Sequence, residues 1–148
     1  MITFIYIIYE FKMVFFTTRL PAGTYYIGDL CYALPDSVYY GYWENTGFQM
    51  GRHKVDDYVF AVGNTYAGDG VYDGSDGKDY PVDAGIIGIA DIRLCRKELQ
   101  EGITKYKRIE LNVVKFRKPD HFTCNDGVFN ITSGSRRITI DTKGEDIE

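Results

Sequence analysis

The chain has 148 residues, three cysteines and a formal net charge of −4, enough chain for one packed core and too little for two. Hydrophobic residues make up 45% and aromatics 16%, which excludes intrinsic disorder, and 13 Tyr, 9 Phe and 16 Gly favour strands joined by tight turns. The acidic balance argues against nucleic acid and anionic membranes, and an odd number of cysteines with no Cys-x-x-Cys pair points to a reducing, cytoplasmic setting without disulfides.

In chain order, Ile2 to Tyr9 is an apolar run with no basic flank or cleavage site, and Glu10 and Lys12 interrupt it. It falls well short of the roughly 20 residues of a membrane span. Residues 1–12 are therefore expected as an N-terminal extension or an extra strand, with Met13 as a second plausible start. Val14 to Thr18 reads as a strand, Leu20-Pro21-Ala22-Gly23 as a turn, and Thr24 to Cys31 as the next strand. Pro35, Asp36 and Gly47 frame a helix over residues 36–45. Asp57 to Asn64 alternates as a half-buried strand, and Gly68 to Tyr80 reads as a hairpin around Gly74-Ser75-Asp76-Gly77. Ile86 to Leu94 is a core strand, and residues 96–101 a turn of helix ending at Gly102. Four strand signals follow: Arg108 to Phe116, His121 to Cys124, Val128 to Thr132 and Arg137 to Asp141. The pattern predicts a mainly β, single-domain antiparallel barrel or sandwich over residues 13–142 with one inserted helix, and an acidic tail over 143–148.

Charge is segregated along this domain. Residues 56–90 hold seven acids against one base, and residues 91–118 nine bases against four acids. Such halves suit solvated strand faces, or head-to-tail pairing into a homo-oligomer.

Three Gly-Asp sites carry the candidate ligand-binding residues: Asp29, Cys31 and Tyr32 after Gly28, Asp69 and Tyr72 around Gly68 and Gly70, and Asp83 before Gly85. A short carboxylate beside glycine, at a strand end, serves acid-base chemistry or a hard metal when several converge. The same pairing serves any tight turn, where Asp satisfies local amides. The acid spacing fails the EF-hand pattern and no βαβ unit surrounds the glycines, so neither a metal nor a nucleotide cofactor is indicated. Cys31 and Cys124 have only His53 and His121 as possible bases, and His121 lies an odd offset from Cys124 on one strand. Tyr39, Tyr40, Tyr42 and Trp43 on the helix are candidate partner-binding residues, since Tyr and Trp combine large apolar area with a polar tip.

The succession Ile27-Gly28-Asp29-Leu30-Cys31-Tyr32, Gly68-Asp69-Gly70-Val71-Tyr72, Val82-Asp83-Ala84-Gly85-Ile86-Ile87-Gly88-Ile89 and Ile140-Asp141-Thr142 resembles a group of short β-rich proteins of bacteria, phages and large DNA viruses. The resemblance spans about residues 23–142, with Leu30 where members commonly have Pro. It implies a stand-alone β domain in which the three Gly-Asp sites belong to one pattern, and it implies no activity. With no complete catalytic set, the reading is a non-catalytic module, viral or phage-like and located in host cytoplasm or virion, that binds a small polar ligand or a protein. A hydrolase using Asp29, Asp69 and Asp83 is the alternative, and a structural oligomer subunit the third.

Overall fold

The computed structural model describes residues 15–143. The extension or extra strand expected over 1–12, and the tail beyond Lys143, lie outside the described residues. The chain forms β1 (Phe16–Leu20), β2 (Gly23–Gly28), a 3-10 turn (Leu30–Tyr32), α1 (Asp36–Thr46), β3 (Gly51–Val55), β4 (Tyr58–Asn64), β5 (Gly70–Asp73), β6 (Asp79–Val82) and β7 (Ile86–Asp91). A second 3-10 turn (Ile92–Leu94), α2 (Lys97–Gln100), β8 (Lys105–Tyr106), β9 (Ile109–Glu110), β10 (Asn112–Phe116), β11 (Asp120–Asn125), β12 (Val128–Ser133) and β13 (Arg136–Asp141) complete it.

Among the described residues every strand pairing is antiparallel. A four-stranded sheet runs β1-β11-β12-β13 and a five-stranded sheet β10-β2-β7-β4-β3, and the two stack as a sandwich that forms no closed barrel among the described residues. Their inner faces share one core in which Tyr25, Ile27, Ala61, Ile87 and Ile89 meet Phe122, Cys124, Phe129, Ile131 and Ile140. The outer face of the five-stranded sheet is also covered. Tyr26, Phe60, Val62, Ile86 and Ala90 pack there with Leu30, Leu34 and Tyr42, beneath α1 and the first 3-10 turn. A sheet buried on both faces needs apolar residues at every position of its central strand, and β7 reads Ile-Ile-Gly-Ile-Ala-Asp with all six residues buried.

Two glycines set how closely the layers approach. A Cβ at Gly63 would meet Phe129 at 3.1 Å, and one at Gly88 would meet Leu30 at 2.9 Å and the Ala61 carbonyl at 2.6 Å. Neither position admits a side chain without moving a packed layer.

The β5–β6 hairpin closes over the sandwich by sending Tyr80 and Val82 into the core. Its turn is held by Asp76, which accepts from the Lys78 N–H (3.2 Å) and the Tyr80 hydroxyl (2.6 Å). Beyond it, the Ser75 amide donates to the Thr139 carbonyl on β13 (2.9 Å). At the sandwich edges an arginine spans the gap between sheets. Arg52 on β3 donates to the Arg19 carbonyl on β1 (2.6 Å), and Arg136 on β13 to the Lys115 carbonyl on β10 (3.3 Å).

The strand expected over residues 86–94 stops at Asp91, whose carboxylate accepts from the Arg93 N–H (3.0 Å) and starts the second 3-10 turn. The strand expected over 108–116 is divided at Leu111, whose amide donates to the Thr104 carbonyl (2.7 Å) in register with the β8–β9 pair, while Asn112 onward pairs with β2.

Candidate functional site

The Asp29 side chain leaves β2 at the point where the chain tightens into a 3-10 turn, and it is fully buried. One carboxylate oxygen accepts from the Cys31 N–H (3.0 Å), capping the turn. The other accepts from the Asp83 and Ala84 N–H groups, both at 2.7 Å. Asp29 thus staples the β6–β7 loop to the end of β2, and its main-chain carbonyl receives the Tyr26 hydroxyl (2.7 Å). Burial pushes its carboxyl above the ordinary value, while the amides of Cys31, Ala84 and Asp83 pull it back.

Asp83 itself is exposed, as is Asp69, whose Oδ1 lies 3.8 Å from where a Cβ on Gly85 would stand. Both reach the same neighbourhood. Burial raises the Cys31 thiol and the Tyr32 phenol far above their ordinary values, and the charges of Asp29, Asp83 and Asp69 add to the effect on each. The three Gly-Asp loops are thus neighbours, the first bonded to the third through Asp29 and the second brought beside the third at Gly85. A thiol held neutral among carboxylates is a poor nucleophile and a poor metal ligand, and among the described residues no group of three His, Cys, Asp or Glu is placed to hold a metal ion.

Tyr72 lies beside this cradle as a brace. Its hydroxyl donates to the Gly68 carbonyl (2.7 Å), which also receives the Thr65 hydroxyl (2.7 Å). Arg96, which sequence reasoning missed, holds the other side. Its guanidinium donates twice to the Tyr32 carbonyl (3.0 and 2.8 Å) and lies over the Tyr106 ring, 4.3 Å from the centroid. Nothing in the local sequence around Arg96 marks this contact, because its partner is 64 positions away.

The helix divides the aromatic residues by face. Tyr42 is buried at 5% exposure, with its ring edge-on to Phe60 (5.3 Å) and His53 (4.9 Å) and its hydroxyl donating to the Gln49 carbonyl (3.1 Å). It anchors α1 to the sheet. His53 is stacked on Phe60 (5.0 Å) and bonded to the Gln49 carbonyl (2.7 Å), so it is engaged in this packing and not with Cys31. Tyr40 and Trp43, by contrast, are half exposed at 54% and 51%. Trp43 stacks on Phe48 (6.2 Å, 17° between planes), Tyr40 leans on Trp43 (6.4 Å), and Tyr39 touches Tyr40 (6.3 Å) and Phe48 (5.7 Å). Phe48 joins the group because Gly47 (φ 64°) ends the helix left-handed and Phe48 follows at φ 65°, a conformation that costs an aromatic residue energy. Burial first, with Cys31 and Asp29 adding to it, raises the Tyr39 phenol to about 12.

On the other flank of α1 runs an open groove of about 550 Å³, with Val38, Tyr42, Val55 and Phe60 along it and Ser37, Asn45, His53, Lys54 and Asp56 contributing polar atoms. No helix among the described residues is long and apolar enough to cross a membrane. Comparison of the chain with protein-family models, with curated proteins and with solved structures finds no match.

Proposed function

We propose that the protein is a non-catalytic binding module whose recognition surface is the aromatic cluster of Tyr39, Tyr40, Trp43 and Phe48, and that its partner is a protein. The observation that carries this reading is the cluster itself: four rings in mutual contact at the surface, one of them held on strained backbone. Exposed Tyr and Trp dominate the energetics of protein interfaces because they bury much area at little entropic cost. A left-handed Phe48 would be dispensable if the rings served only to cover the helix. The Gly-Asp cradle supplies the platform, with Asp29 spent on three main-chain amides and Cys31 held neutral. The viral or phage setting belongs to this proposal on the strength of the sequence resemblance alone.

Trp43 is the single tryptophan of the chain, so its emission reports directly on the surface in question. Peptides selected by phage display should shift that emission to the blue on binding and lose about tenfold or more in affinity with Tyr40→Ala and Trp43→Ala. Turnover of a generic ester or phosphodiester, abolished by Asp69→Asn or Asp83→Asn, would instead establish the hydrolase reading. A stable multimer that Trp43→Ala dissociates would establish the structural subunit.

A further inference from the structure

At the β10–β13 edge, opposite the β3 edge along which the α1 groove runs, the chain builds a small basic pocket. It is an open depression of about 260 Å³, lined by Lys115, Phe116, Arg117 and Lys118 from the end of β10, and by Ser133, Gly134, Ser135 and Arg136 from the β12–β13 turn. Four cations line it and no acid does. We propose that this pocket binds the phosphoryl group of a small anionic ligand.

The pocket is braced before any ligand arrives. The Ser133 hydroxyl donates to the Lys118 carbonyl (2.9 Å), locking the loop to the turn. Lys118 then lies across Gly134, its Cδ 3.3 Å and its Nζ 3.7 Å from where a Cβ would stand, and Gly134 holds φ 59° at the tip of the turn. Arg136 is fixed from both sides, by its bond to the Lys115 carbonyl and by its position over the Phe116 ring, 5.5 Å from the centroid. All four cations are exposed, and among the described residues none of them is in an ion pair. Four like charges gathered on fixed backbone repel one another, and an oxyanion relieves that repulsion while accepting from guanidinium, ammonium and hydroxyl donors at once. A phosphate dianion matches this donor set, and Arg supplies the paired geometry that phosphate oxygens favour.

A nucleic-acid backbone fits less well. Phe116 is 2% exposed with Arg136 over its ring, leaving no face for a base to stack on, and the cations form one pocket in a chain of net charge −4.

Inorganic phosphate, titrated against the amide resonances of the isotope-labelled protein at constant ionic strength, tests the proposal. Saturable shifts confined to residues 115–118 and 133–136, with pyrophosphate binding more tightly, are expected. Lys118→Gln, an exposed change that leaves the core untouched, should weaken binding about fivefold and Lys118→Arg should restore it. Three results overturn the proposal: shifts that fail to saturate, shifts that chloride reproduces, or a short single-stranded oligonucleotide that binds the same residues about tenfold more tightly than pyrophosphate.

Discussion

Two aspartates among the described residues are completely buried, and their surroundings are opposite. Asp29, at the end of β2, gives its carboxylate three main-chain amides from two loops. Asp120, at the start of β11, gives its carboxylate none, and both of its oxygens lack a hydrogen-bond partner. The nearby Tyr25 hydroxyl is already spent on the Pro21 carbonyl (2.6 Å). Burial raises both carboxyls, but Asp120 climbs to about 7, because only its own main-chain N–H lies near enough to help and it makes no hydrogen bond. A buried acid is thus informative only together with its donors. With them it is a staple, and without them it holds a proton.

Removing the staple should have the larger effect. Asp29→Ala orphans the amides of Cys31, Asp83 and Ala84, each worth about 1–3 kcal/mol when left unmade, and partial relaxation of the loops leaves an expected loss of about 4 kcal/mol. Asp29→Asn should fall between, since one carbonyl oxygen survives while the new NH2 group opposes the remaining amides. Urea unfolding measures both. A loss below about 1 kcal/mol for the alanine variant would show that the β6–β7 loop is held by something else.

Asp120 should act in the other direction and through pH. An acid whose folded pKa lies above its unfolded value binds its proton more tightly in the native state, so stability is greatest at low pH. That stability is lost as pH rises from about 4 to about 7, and the deficit persists above. The shift corresponds to up to about 4 kcal/mol, which relaxation around the charge should trim to about 2–3. Asp120→Asn removes the titration, so unfolding free energies at pH 3 and pH 8, on either side of the whole transition, should differ by that much less in the variant. Parallel pH profiles for the two proteins would place the proton elsewhere.

Most of the sandwich was legible because burial on one or both faces writes itself into alternation or apolar runs. The helix ends at Thr46, close to the expected residue 45, since Gly47 supplies the left-handed stop. Strand β3 was not legible. Gly51-Arg52-His53-Lys54-Val55 lies at a sheet edge with no fully buried residue, so its composition is that of a loop. The Gly-Asp pattern marked three loops, and the structure sets them side by side through Asp29 and Gly85. That Asp29 is consumed by amides 54 and 55 positions away could not be read locally. Asp120 was hidden for the converse reason. Lys118-Pro119-Asp120 reads as a solvated turn, and only the register Leu20↔Asp120 turns that side chain inward. The basic pocket likewise joins a loop at residues 115–118 to a turn at 133–136, a pairing that no linear charge count reveals.

The smallest effect tests whether the three Gly-Asp loops act on one another electrically. Cys31 is partly exposed while Cys95 and Cys124 are buried, so alkylation of the native protein at pH 8 should report Cys31, with peptide mapping to confirm the site. The reaction runs through the thiolate, and burial together with Asp29, Asp83 and Asp69 suppresses that form, so the rate should lie far below that of a free thiol. Asp83→Asn and Asp69→Asn each remove one negative charge from an exposed position and leave the staple intact. Screened charges of this kind are worth a fraction of a pKa unit, so each variant should react about two- to threefold faster, and added salt should narrow the gap. Asp141→Asn, on the opposite sheet, should change nothing. Equal rates for all four proteins would mean that the cradle holds its thiol neutral by burial alone, and that the loops meet in space without sharing a field.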